Sequence, residues 1–130
     1  MSAYVFGKQV ALSFEAALER VTTELAKEGF GILTEIDVAA TMKKKINVDM
    51  RPYRILGACN PQLAHRALSA EPEIGALLPC NVVVREDDRG KVHVDIMDPR
   101  AVLRLVDRPE IEALATDVRG RLERVLHALE

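Results

Sequence analysis

The C-terminal part of the chain carries the strongest hydrophobic periodicity in the sequence. Apolar residues recur at spacings of three and four over residues 111–129. This pattern predicts a long amphipathic helix, and Asp107 with Glu110 has the spacing of a capping box at its start. Because so wide an apolar stripe must pack against another layer, the rest of the chain has to supply that layer. The stripe consists of Ile111, Leu114, Ala115, Val118, Leu122, Val125, Leu126 and Leu129.

Five segments upstream have the composition and alternation of β-strands. They cover residues 3–12, 31–36, 53–59, 79–86 and 91–97, and the last two flank a hairpin loop that ends at Gly90. Helical patterns separate the others, each beginning at a residue that favours N-caps: Ser13, Asp37, Asn60 and Asp98. The sequence therefore predicts one α+β domain over residues 1–130. We expect a curved, largely antiparallel sheet of about five strands, with helices on one face and a long C-terminal helix.

Composition narrows the classes of function. The 130 residues are 48% hydrophobic and 29% charged, with a formal net charge of −2. This near-neutral balance lacks the basic surface that nucleic-acid binding requires, so no nucleic-acid partner is expected. The longest apolar run, residues 74–84, is interrupted by Pro79 and Asn81 and is too short to cross a membrane. No targeting segment is visible. We expect a cytoplasmic protein whose two cysteines stay reduced.

Those two cysteines are the main candidates for chemistry, and Asn follows each of them, as Cys59-Asn60 and Cys80-Asn81. Cys59 lies where a predicted strand passes into a helix, so backbone N–H groups and the helix dipole could favour a thiolate there. A small packed residue is the alternative interpretation. The same argument is weaker for Cys80, which begins a strand.

Other polar residues are weaker candidates. Arg51 and Tyr53 could together bind a carboxylate or phosphate, although a structural role for that loop is favoured. His65 lies off the apolar stripe of its helix. No C-x-x-C or H-x-x-x-H pair supplies two metal ligands from one short segment, so no metal site is predicted. No catalytic set is predicted either, and the cofactor is left unknown. The run Lys43–Lys45 falls where cations complement a helix C-terminus, and a surface patch that binds an anion or a partner is the alternative interpretation.

Several segments resemble the domain of unknown function 302 (DUF302) family of small prokaryotic proteins. They are Gly29-Phe30-Gly31, residues 51–61 (RPYRILGACNP), 64–68, 77–84 (LLPCNVVV) and Asp98-Pro99. The resemblance covers nearly the whole chain. It implies a small α+β domain with a curved antiparallel sheet carrying helices, which often self-associates. It implies no particular activity or cofactor.

Three hypotheses for function follow. The first is a binding module for a polar small molecule, or for a soft metal, in a groove near Cys59 and Cys80. Arg51, Tyr53, Asn60, His65 and Asn81 are further candidate ligand-binding residues. The second is a thiol-dependent enzyme or redox protein using Cys59, although enzymatic activity is not favoured. The third is a structural homodimer, formed through a sheet edge or the C-terminal helix, without a ligand site.

Overall fold

The computed structural model describes residues 2–129, which form a five-stranded, open, antiparallel sheet carrying helices. The strands lie in the order β1-β5-β4-β3-β2, so β1 and β2 are the two edges. The predicted α+β fold is confirmed. The strands are β1 (Val5–Val10), β2 (Gly31–Asp37), β3 (Tyr53–Cys59), β4 (Cys80–Glu86) and β5 (Val92–Met97).

Alternation along the three inner strands separates a helix-covered face from an open face. Cys80, Val82 and Val84 of β4 are buried, while the intervening Asn81, Val83 and Arg85 are not. Since successive strand side chains point to opposite faces, this period of two assigns the buried set to the face that packs on the helices. The buried hydrophobic side chains of the other two inner strands follow the same rule: Leu56 and Ala58 in β3, and Val92, Val94 and Ile96 in β5.

Within the described part of the chain, five α-helices accompany the strands. The predicted caps are confirmed, because the side chains of Ser13, Asp37, Asn60 and Asp98 each accept a hydrogen bond from a first-turn N–H. The residues between α3 and β4 include a short 3-10 helix, Pro72–Leu77, which the sequence did not predict. The helices are α1 (Phe14–Lys27), α2 (Val38–Ile46), α3 (Pro61–Ala70), α4 (Pro99–Val102) and α5 (Pro109–His127).

The predicted capping box of α5 is wrong. The N-cap is Arg108, which makes no side-chain cap hydrogen bond, and Pro109 occupies the first helical position. Proline suits that position because it lacks an N–H and its φ is already helical. The carbonyl of Arg108 accepts from Ile111 and Glu112 instead, so the helix begins one residue later than the box requires.

The core lies between the sheet and the helices, and α5 contributes the predicted stripe to it. Ile111, Leu122 and Val125 are at most 1% exposed. α5 packs against α1, α3 and α4. Within residues 2–129, no helix is long and apolar enough to span a membrane.

Candidate functional site

The two cysteines lie at the same end of the sheet, on neighbouring strands. Cys80 is the register partner of Ala58, and Cys59 is the next residue along β3. On its other side, Cys59 is the register partner of Gly31 in β2. The fold thus brings together two residues that are far apart in the sequence.

Both cysteines line one cavity of about 240 Å³ between this end of the sheet and the helices. Its lining is almost entirely apolar, and Asn60 is the one side chain in it with an amide or a charge. The lining residues are Phe30, Leu33, Ala58, Cys59, Asn60, Leu63, Ala64, Ala67, Leu78, Pro79, Cys80, Leu103, Leu114 and Val118.

Small side chains explain why this space is open. Ala58 of β3 lines the cavity on the side of the sheet, and Ala64 and Ala67 of α3 line it on the side of the helices. Protein interiors are normally packed without voids of this size, so larger side chains at these positions would fill the space. Leu33 is 66% exposed, and every other lining residue is buried or half-buried. The cavity therefore opens to solvent beside Leu33.

The electrostatics of the cavity favour neutral groups. Burial raises the pKa of the Cys80 thiol to about 11, with a smaller contribution to that rise from the nearby Cys59. A thiol with this pKa stays protonated at neutral pH, so Cys80 is poorly suited to act as a nucleophile or a resolving thiol. Cys59 is half-buried and is the more accessible of the two.

The side chain of Asn60 is committed to local structure. Its Oδ1 accepts from the backbone N–H of Leu63 at 3.2 Å, which caps α3, and its Nδ2 donates to the carbonyl oxygen of Glu28 at 3.5 Å. Pro61 has no N–H, and the N–H of Ala64 donates to the carbonyl of Asn60. Few donors of the first turn of α3 are therefore left to stabilise an anion at Cys59.

Glu28 connects this end of the sheet to α5. Its carbonyl oxygen also accepts from Arg121 at 2.9 Å, and two nitrogens of Arg124 donate to its carboxylate at 3.1 and 2.9 Å. The hydrogen bond from Arg124 lowers the pKa of Glu28. α1, α3 and α5 are thus held at one point beside the cavity, a role for Glu28 that the sequence did not indicate.

Arg51 and Tyr53 lie at the other end of β3, contrary to the expectation that Tyr53 shares a groove with the cysteines. Tyr53 is the first residue of β3 and Cys59 the last, so about 20 Å of strand separates them. Arg51 donates to the carboxylate of Glu86 at 2.7 Å and to the carbonyl of Asp88 at 3.0 Å. These bonds give Arg51 the structural role of anchoring its loop to the hairpin.

Asn81 and His65 are also outside the cavity. Asn81 is exposed on the open face of the sheet, as the register partner of Gly57. His65 is exposed and lines a surface groove between α3 and α5, with Ser69 and Asp117. Of the seven candidate residues, the structure brings together Cys59, Asn60 and Cys80.

No group of three or more His, Cys, Asp or Glu side chains that could hold a metal ion occurs among residues 2–129. His93 contacts the carboxylate of Asp87 at 2.7 Å. Asp95 accepts a hydrogen bond from Arg85 at 2.7 Å. These pairs lie on the open face and the hairpin, away from the cysteines.

Comparison with known proteins identifies the family and a solved structure of similar fold. The family model described as "Domain of unknown function DUF302" matches residues 6–129. The chain belongs to the DUF302 family. Among solved structures, the fold is similar to the crystal structure of an uncharacterized conserved DUF302 protein from Bacillus stearothermophilus, with a TM-score of 0.91 and 27% sequence identity. The match covers 99% of this chain and 100% of that one. No curated protein matches the sequence.

The sequence did not indicate the apolar residues that line the cavity of this chain. Leu63, Leu114 and Val118 belong to helix stripes that predict core positions, and Leu103 precedes α5. A usable signal lay in the small residues Ala64 and Ala67, which are three residues apart and so share one face of α3. Small side chains on a buried helix face show where space can remain, but only the packed structure shows that it does.

Proposed function

We propose that this DUF302 chain binds a small, uncharged, largely apolar molecule in the cavity that Cys59 and Cys80 line. The observation that carries the proposal is the cavity itself, with its volume of about 240 Å³ and its apolar lining. An apolar concave site with few polar groups is the usual form of a small-molecule pocket.

The volume sets the size of the molecule. Drug-sized ligands occupy pockets of about 300–1,000 Å³, which is larger than this cavity. A dry cavity of about 150 Å³ lined by aliphatic and aromatic side chains accommodates benzene. A molecule with one or two rings, or a short branched chain, therefore fits the available space.

The lining sets the charge of the molecule. It contains no Asp, Glu, Lys, Arg or His. A charged ligand would lose its hydration without gaining a partner, which is strongly unfavourable. The sequence suggested that Asn60 and Asn81 would bind a polar ligand. Asn60 instead caps α3, and Asn81 lies on the open face of the sheet, so neither amide is available to a ligand in the cavity. The proposal therefore names an apolar ligand.

A fluorescence titration with 1-aminonaphthalene, which is neutral at pH 7, tests the proposal. We expect saturable binding to the wild-type chain, and at least tenfold weaker binding to Ala64→Leu, whose side chain fills part of the cavity. Ala26→Leu is the matched control, because Ala26 is exposed on α1 and a leucine there leaves the cavity unchanged. Equal binding by Ala64→Leu and the wild type, or no binding by the wild type, would overturn the proposal.

The variant Cys59→Ala distinguishes this proposal from the hypothesis of a thiol enzyme that uses Cys59. Binding to the cavity depends on its shape and apolar surface, so we expect Cys59→Ala to retain the affinity for 1-aminonaphthalene within about threefold. Native mass spectrometry of the freshly purified chain adds an independent measurement. A retained organic molecule supports the proposal, whereas a metal adduct lost in Cys59→Ala would support the soft-metal hypothesis instead. The enzymatic role, the homodimer and the cytoplasmic location stay predictions.

A further inference from the structure

Helix α2 does not contribute to the core. Its nine residues include none that is buried, and Lys43, Lys44 and Lys45 fall in its last turn. A helix of this length is marginal in water on its own, and most helices in proteins are stabilised by packing an apolar face. α2 has such a face, but residues 2–129 do not bury it.

The uncovered face is apolar and well defined. Met42 and Ile46, one turn apart on α2, are 36% and 63% exposed. The next residues extend it, since Val48 and Met50 are 45% and 40% exposed. The backbone N–H of Val48 donates to the carbonyl of Met42, which holds the loop against the end of the helix. We call Met42, Ile46, Val48 and Met50 the α2 surface.

Charges of opposite sign lie at the two ends of α2. At its start, the carboxylates of Glu35 and Asp37 share the single guanidinium of Arg54, which leaves an excess of negative charge. At its end, the run of three lysines has one acidic partner, Asp49, which pairs with Lys43 at 3.0 Å. The apolar face therefore lies between a negative end and a positive end.

We propose that the α2 surface binds the same surface of a second copy of this chain, with the two α2 helices antiparallel about a twofold axis. In that arrangement the apolar faces cover each other and the positive end of each helix meets the negative end of its mate. A second copy supplies this complementary pattern automatically, because a twofold interface is self-complementary. Another partner would need to reproduce the same order of charges.

This interface is independent of the ligand cavity. Asp37, which caps α2, is the register partner of Arg54 near the start of β3, whereas Gly31 pairs with Cys59 at its far end. The α2 surface and the cavity lie at opposite ends of the β2–β3 pair. Self-association and ligand binding can therefore fail separately.

Sedimentation equilibrium of the full chain with the variant Ile46→Glu tests the proposal. We expect a wild-type dimer, and a dissociation constant raised at least tenfold in Ile46→Glu, because the charge enters the interface twice. Leu105→Glu is the matched control, since Leu105 is 79% exposed on the segment between α4 and α5 and its substitution should leave the dimer intact. A wild-type monomer at 100 µM, or equal weakening by both variants, would overturn the proposal.

Two neighbouring lysines test the orientation of the helices. Lys45 is three residues after Met42 and flanks the apolar face, whereas Lys44 is two residues after it and points away. We expect Lys45→Glu to weaken the dimer several-fold more than Lys44→Glu, with circular dichroism showing an unchanged helix content in both. Equal effects of the two charge reversals would contradict the antiparallel arrangement.

Discussion

The side chain of Cys80 occupies the first position of β4, 6% exposed and facing the helices. Burial disfavours its charged form, which is why the pKa of this thiol is raised to about 11 from an ordinary value of 9.0. Because the folded chain holds this proton more tightly than the unfolded chain, the associated stability is fully present below pH 9. It is lost as the pH rises towards 11.

Alkylation rates should therefore separate the two cysteines. At pH 8, two pKa units leave Cys80 with about a hundredfold less thiolate than an ordinary thiol, and burial slows access further. We expect iodoacetamide to modify Cys59 much faster than Cys80 in the native chain, as followed by peptide mass spectrometry. In guanidinium chloride the two rates should converge. Native rates within twofold of each other would contradict the burial of Cys80.

At the scale of elements, the turn between α1 and β2 fits tightly against the cap of α3. Gly29 has a φ of +87°, in the left-handed region that glycine adopts without strain. A Cβ built on Gly29 would lie 2.7 Å from Nδ2 of Asn60, which is closer than real side chains approach. Gly29 thus allows the chain to turn out of α1, and its lack of a side chain leaves room for the amide of Asn60 that caps α3.

Three glycine-to-alanine variants separate these two roles. We expect Gly31→Ala to change the free energy of unfolding by less than about 0.5 kcal/mol, since no heavy atom lies within 4 Å of its Cβ position. Gly90 has a φ of +78°, and the nearest atom to its Cβ position is 4.0 Å away, so Gly90→Ala introduces backbone strain without a steric clash. We expect it to lower the free energy of unfolding by about 1–2 kcal/mol. Gly29→Ala combines similar backbone strain with a steric clash against Asn60, so we expect it to lower the free energy of unfolding more than Gly90→Ala does. Urea denaturation measures all three, and the reverse order would contradict the contact.

Local signals account for most of what the sequence predicted correctly. Period-two alternation predicted the strands, and Asn60 predicted the start of α3, because both patterns depend on neighbouring residues. The cavity depends on how α3 and α5 meet the end of the sheet, which no local pattern encodes. Tyr53 and Cys59 are far apart because they lie at opposite ends of the same strand. Grouping polar residues by type does not take the length of a strand into account.

At the scale of the whole molecule, the cavity is an unfilled part of the apolar interior and should reduce stability. Filling it with Ala64→Leu restores packing contacts, and cavity-filling changes of this kind commonly add about 0.5–2 kcal/mol. We expect Ala64→Leu to raise the free energy of unfolding in urea, while Ala26→Leu changes it by less than about 0.5 kcal/mol. A destabilised Ala64→Leu would mean that this wall cannot accept a larger side chain.

The strand order has a consequence for the synthesis of the protein. β1 pairs with β5, so Val5 meets Met97, and β1 has no other strand neighbour in the sheet. At roughly 5–20 residues per second, a ribosome needs on the order of 5 to 20 seconds to add the intervening chain. For that interval β1 has no partner strand in the nascent polypeptide, and the five-stranded sheet can be completed only after β5 has been synthesised.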